Sequence, residues 1–156
     1  MINEKEKVRN SVQIFVDGSY NKDTNLTGAG IIILYNEEIL KKAFLVKTEE
    51  EHSWNINGEC HAVLEALAIC VGKELIGDMT IDEKYIVINY DYLGIEKWAT
   101  GEWKAKSKIA KLYVKEFNNY VSTYGLKVSF NKIKSHSGNE YNDMADKLAY
   151  SMTQQK

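Results

Sequence analysis

Apolar and polar residues alternate along Val12-Gln13-Ile14-Phe15-Val16, and the run closes on Asp17-Gly18-Ser19-Tyr20. β-branched and aromatic residues in that order predict a buried strand ending in an acidic residue. Asn21 to Gly30 is polar and rich in turn formers, Ile31-Ile32-Ile33-Leu34-Tyr35 is a continuous apolar strand, and Asn36-Glu37-Glu38 turns the chain into a third strand, Ile39 to Val46. Three consecutive strands with short connections predict an antiparallel meander. The pattern then changes period. From Asn55 to Cys70 apolar residues recur at helical spacing, with Asn55 or Asn57 placed to cap the helix, and Glu59 shares the apolar face with Ala62, Val63, Ala66 and Cys70. A polar connection from Gly72 to Lys84 leads into Tyr85-Ile86-Val87-Ile88-Asn89-Tyr90-Asp91, a second strand ending in Asp. Leu126 to Ile133 reads as the last strand, and Met144, Ala145, Leu148, Ala149 and Met152 mark one face of a closing helix that carries Asp146.

Strand, helix, strand is the pattern of a crossover that returns the second strand parallel to the first. The acidic ends of the two strands then emerge at one edge, which makes neighbours of Asp17 and Asp91. Two carboxylates so placed repel, and a bound cation is the natural reason to keep both charged. Each of these residues also has an ordinary reading. Asp-Gly is a common turn signal, a carboxylate such as Glu59 near a helix start can simply face the helix dipole, and a histidine in a glycine-containing loop, as His136 is, is commonly a surface residue.

Composition narrows the class. The chain has 156 residues, 44% of them hydrophobic, which suits one domain with a sizeable core: an extension over 1–10, a domain over 11–152 and a tail over 153–156. The charged N-terminus and the lack of any long apolar run predict a cytoplasmic protein with no membrane contact. Cys60 and Cys70 lack the spacing of a zinc site and read as buried thiols. The net charge of −2 conceals a basic segment: Lys97, Lys104, Lys106, Lys108, Lys111 and Lys115 face only Glu102, with Trp98 and Trp103 among them. A run of this kind is either a solvated helix face or a surface for nucleic-acid backbones, where Lys holds phosphates and rings pack on sugars or bases. Trp98, at helical spacing from Leu93, Gly94 and Ile95, is equally a core residue.

Asp17-Gly18-Ser19 after a strand, Glu59 in Asn55-Ile56-Asn57-Gly58-Glu59 opening a helix, Asp91 after a strand, and His136-Ser137-Gly138 followed by Asn142-Asp143-Met144-Ala145-Asp146-Lys147-Leu148-Ala149 together resemble the type 1 ribonuclease H family over about residues 11 to 152. The stretch from Tyr90 to Lys104 resembles bacterial, clostridial-type members, which commonly carry an N-terminal hybrid-binding domain that this sequence does not contain. The resemblance implies an α/β ribonuclease H-like fold, a five-stranded mixed sheet of three antiparallel strands and then two parallel ones, flanked by helices. It also implies that Asp17, Glu59, Asp91 and Asp146 bind metal and that His136 is a mobile histidine assisting catalysis or product release. Asn55, with Gly18 and Ser19 beside it, is expected at the minor groove of an RNA/DNA hybrid, and Lys104, Lys106 and Lys108 at the DNA strand. The sequence departs from many members in having Tyr92-Leu93 where Ser-Gln is usual, in the displaced Asn57, and in Asp143 where relatives often have Glu.

The implied activity is cleavage of the RNA strand of hybrids by an enzyme that works as a monomer, leaving 5′-phosphate and 3′-hydroxyl ends. Two Mg²⁺ ions about 4 Å apart suit it, clamped by shared carboxylates. Oxygen ligands favour Mg²⁺, with Mn²⁺ as substitute, over zinc. Two rivals keep the same fold: a noncatalytic module that binds hybrid or double-stranded RNA, against which the full carboxylate set argues, and a related nuclease with another substrate.

Overall fold

The computed structural model describes residues 11–35, 37–47, 54–72, 85–134 and 138–154. The strands are β1 (Val12–Asn21), β2 (Leu26–Tyr35), β3 (Glu38–Val46), β4 (Tyr85–Tyr90) and β5 (Lys127–Lys132). The helices are α1 (Trp54–Gly72), α2 (Gly94–Ala99), α3 (Lys108–Tyr124) and α4 (Glu140–Thr153). One sheet runs in the order β3-β2-β1-β4-β5, antiparallel between β3, β2 and β1 and parallel between β1, β4 and β5. The meander and the parallel return expected from the pattern are both present.

Strand alternation sorts the core into two layers. Val12, Ile14 and Val16 of β1, with Ile31 and Ile33 of β2 and Ile86, Ile88 and Tyr90 of β4, face α1 and α3 and pack on Val63, Ala66, Leu67, Tyr113 and Phe117. Phe15 and Ile32 point the other way, onto Ala145, Met144, Tyr141 and Leu148 of α4. The helix ends have local causes. Ser107 caps α3 by accepting from the Ala110 N–H at 3.1 Å, Gly125 ends it at φ 64°, and Asn139 caps α4 by accepting from the Asn142 N–H at 2.9 Å.

Besides the end of β1, which runs on past Asp17 to Asn21, two boundaries differ from the sequence reading. β2 begins at Leu26, not Ile31, because Thr27-Gly28-Ala29-Gly30 is strand rather than turn, paired with Tyr20 to Asp17. Its glycines serve packing: a Cβ on Gly28 would collide with the Ala149 carbonyl and one on Gly30 with the Ala145 carbonyl, so α4 lies directly on the strand backbone. α1 begins at Trp54, so Asn55 and Asn57 lie inside its first turn and do not cap it. Cys60 and Cys70 are buried free thiols. No helix among the described residues is long and apolar enough to cross a membrane.

Candidate active site

β1 pairs with β4 only from Val12 to Phe15, while its pairing with β2 runs on to Asn21. Asp17 therefore lies within a strand rather than at its end, at the point where the parallel neighbour has left. The register Phe15↔Asn89, continued by two residues, brings Asp17 level with Asp91, which follows the last residue of β4. Gly18 does not turn the chain here. A Cβ on it would strike the Asn55 carbonyl and the Glu59 amide, so the glycine lets the first turn of α1 descend onto β1 and delivers Glu59 to the same edge. Gly58 repeats the device, with the Gly18 Cα 2.8 Å from where its own Cβ would stand. From the opposite face, α4 seated on Gly28 and Gly30 carries Asp146 to Asp17.

The carboxylates meet in pairs. Asp17 shares a side-chain hydrogen bond with Asp146 and feels the charge of Glu59, while its Oδ1 accepts from the Gly18 N–H at 2.9 Å. Two carboxyl groups bond to each other only through a shared proton. Burial above all, then the bond to Asp146 and the nearby charges, raise the Asp17 carboxyl from 3.8 to about 8. Glu59 is 4% exposed. Its Oε1 accepts from the Asp91 N–H at 2.8 Å, and the Tyr92 N–H lies 3.2 Å from Oε2. Burial still outweighs both donors and raises Glu59 from 4.5 to about 7.

Asp91 is half-buried, with its Oδ1 3.4 Å from Lys132 Nζ. Among the described residues no three His, Cys, Asp or Glu side chains close around a single ion position. The chemistry of the donor set nevertheless fits a hard divalent cation: every donor is an oxygen, and burial, with neighbouring acids, holds the Asp17 and Glu59 carboxyls above their usual range, a cost that a bound cation would offset.

Of the other expected residues, Asn55 is exposed at the start of α1 and Ser19 is half-buried opposite Gly28. Asn57 is buried, and its Nδ2 has no hydrogen-bond partner among the described residues. Asp143 is half-buried in the first turn of α4. His136 lies outside the described residues. The lysines do not share one helix face. Lys104 and Lys106 are exposed on the irregular link between α2 and α3, Lys108 opens α3, Lys111 is exposed on it, and Lys97 is paired with Glu102 at 2.7 Å. Trp98 packs against the core, and with Tyr92 and Trp103 forms a ring cluster with centroids 5.5 to 6.5 Å apart. Glu65, on the outer side of α1, meets Lys42 at 2.9 Å.

Sequence reasoning missed Lys132. The signal that could have found it is a basic residue closing the strand next to the one that ends at Asp91. It also missed the amide ladder on which the two parallel strands rest: Asn131 Nδ2 donates to Asn89 Oδ1 at 2.7 Å, and Asn89 Nδ2 to the Ile14 carbonyl at 3.0 Å.

A model of the RNase H family matches residues 9–154. The Ribonuclease H of Clostridium botulinum is 33% identical over 146 residues, covering 88% of this chain and 92% of that protein. Among solved structures, LC11-RNase H1, isolated from compost by a metagenomic approach, superposes with a TM-score of 0.72 at 20% identity, covering 93% of this chain and 96% of that one. LC11-RNase H1 in complex with an RNA/DNA hybrid gives a TM-score of 0.68 at 15% identity, covering 90% and 98%. The structural matches speak for the fold, and the family model and the clostridial relative for descent. With four acidic residues drawn to one sheet edge from β1, α1, the end of β4 and α4, the chain belongs to the ribonuclease H family.

Proposed function

We propose that residues 11–152 form the catalytic domain of a monomeric, metal-dependent endoribonuclease that hydrolyses the RNA strand of RNA/DNA hybrids to 5′-phosphate and 3′-hydroxyl ends. The observation that carries this reading is the meeting of Asp17 with Asp146 and Glu59, and of Glu59 with Asp91, at one edge of the sheet in a chain of this family. The hybrid held by a structural neighbour supports the substrate.

Asp17, Glu59, Asp91 and Asp146 would hold two Mg²⁺ ions, or Mn²⁺ in their place. Bound there, such a pair supplies a metal-activated water and charge stabilisation of the leaving oxygen. The chain's own residues do the rest. Glu59, fixed by the backbone N–H groups of Asp91 and Tyr92, keeps the β4 end at a set height against α1. Asp17 gives up the proton it shares with Asp146 when positive charge arrives. His136, two positions before Gly138 in the sequence, moves a proton at the reacting phosphate or assists product release. Gly18, Ser19 and Asn55 read the RNA strand's 2′-hydroxyl groups across the minor groove, and Lys104, Lys106 and Lys108 hold phosphates of the DNA strand.

The test is cleavage of end-labelled RNA/DNA, RNA/RNA and DNA/DNA duplexes with Mg²⁺ and with chelator. Cutting confined to the RNA of the hybrid and dependent on Mg²⁺ is the expected result. Equal cutting of all three duplexes, or of none, defeats the proposal.

A further inference from the structure

Lys132 is the one basic side chain among the described residues placed against the carboxylate edge by two separate observations. The parallel register Tyr90↔Lys132 sets it beside the end of β4, and its Nζ lies 3.4 Å from Asp91 Oδ1 and 3.4 Å from the Ile133 carbonyl. The pairing extends past the strand end, since the Ile133 N–H donates to the Tyr90 carbonyl at 2.7 Å, so the backbone beneath Lys132 is fixed. The charge also reaches Glu59, on which it acts with the opposite sign to Asp91.

The pair is of little use to stability. The Lys132 side chain is 45% exposed and that of Asp91 38%, and ion pairs so hydrated contribute little to the folded state. Its charge lies where an incoming cation must come, so its effect falls on ion binding. A fixed positive charge at a carboxylate repels a second cation and occupies an oxygen that the cation needs.

We infer that Lys132 is a positioning residue for the metal centre: a tethered cation that holds Asp91 in the ion-free protein, competes with the divalent ion for that carboxylate, and so sets the Mg²⁺ concentration at which the site fills. The inference rests on the metal reading proposed above. In the ion-free chain the lysine holds the Asp91 side chain in place through the 3.4 Å contact of its Nζ with Oδ1. On loading, the ammonium group leaves Asp91 for solvent, which its flexible stem and its 45% exposure allow.

The experiment is calorimetric titration of Mg²⁺ into the free protein, comparing wild type, Lys132→Met, Lys132→Arg and Lys134→Met, with thermal melts in chelator to show that each is folded. Lys134, exposed two residues on, controls for net charge. Lys132→Met should bind Mg²⁺ about ten- to thirtyfold more tightly, the scale of one unit charge acting on a divalent ion about 4–6 Å away at the dielectric of water. Lys132→Arg should stay near wild type, and Lys134→Met should change little. Unchanged or weaker Mg²⁺ binding in Lys132→Met, or an equal shift in Lys134→Met, overturns the inference and leaves the metal reading standing. A wild-type protein that binds no Mg²⁺ removes both.

Discussion

The backbone N–H of Asp91 donates to the Glu59 side chain at 2.8 Å, so the end of β4 is tied to the first turns of α1 by one of the carboxylates themselves. Glu59 is thus both a structural acceptor and a candidate ligand. The two roles separate on substitution, because an amide oxygen accepts from the same N–H while carrying no charge.

Glu59→Gln should therefore fold, with a melting temperature in chelator at or above that of wild type, since a buried carboxyl raised to about 7 is replaced by a neutral group of the same shape. Cleavage of a hybrid in Mg²⁺ should fall by about a hundredfold or more, as expected when a ligand contributing several kcal/mol to the transition state is lost. Steady-state cleavage rates beside thermal melts check both halves. Near wild-type turnover in a folded variant would remove Glu59 from the metal centre.

Asp17 gives the metal-free protein a pH dependence with a definite sign. Its carboxyl ionises at 3.8 in the unfolded chain and at about 8 in the folded one, and Glu59 shifts the same way, from 4.5 to about 7. Between those limits the folded state holds protons that the unfolded state has released. Stability in chelator should thus be greatest below about pH 4 as far as these groups are concerned, and be lost as pH rises through 7 to 8. Asp17→Asn should flatten the decline, and Mg²⁺ at pH 8 should restore the melting temperature of wild type but not of the variant. Denaturation series at pH 5 to 9 decide it, and a decline of equal slope in Asp17→Asn would count against a buried proton at that site.

Changing Lys104, Lys106, Lys108 and Lys111 together to Gln separates phosphate binding from simple solvation. If these exposed side chains hold phosphates, hybrid binding weakens and the slope of log K against log salt flattens by somewhat under one unit for each phosphate released from a lysine. The choice of RNA over DNA as the strand cut should survive, because it is assigned to the minor groove near Asn55 and Gly18. Binding isotherms at several salt concentrations are the measurement, and an unchanged slope removes the segment from the interface.

Gly30→Ala tests the seating of α4. The added methyl meets the Ala145 carbonyl, one residue before Asp146, so the helix must lift. A loss of about 1–3 kcal/mol is expected from overpacking where the helix meets the strand. Activity should fall further than stability at temperatures where the variant is folded, because lifting α4 draws Asp146 away from Asp17. Chemical denaturation paired with hybrid cleavage at about 25 °C reads both.

Hydrophobic periodicity alone determined that Val12 to Val16 and Tyr85 to Tyr90 are strands and that Glu59 lies on the inner face of a helix. These are local properties: an alternation of two or a period of 3.6 is written into adjacent residues. What sequence left open was set by the packing of distant segments on one another. Gly18, Gly28 and Gly30 carry the composition of turns, and only the descent of α1 and α4 onto the sheet shows that they are points of backbone approach inside strands. Asn55 and Asn57 look alike in a helix start, and burial against the sheet leaves one exposed and encloses the other. Lys132 is an ordinary strand-end lysine until the parallel register sets it against Asp91, 41 positions earlier in the chain. Register between parallel strands is a property of the assembled sheet, fixed by the packing of both faces at once, and no single stretch of residues contains it.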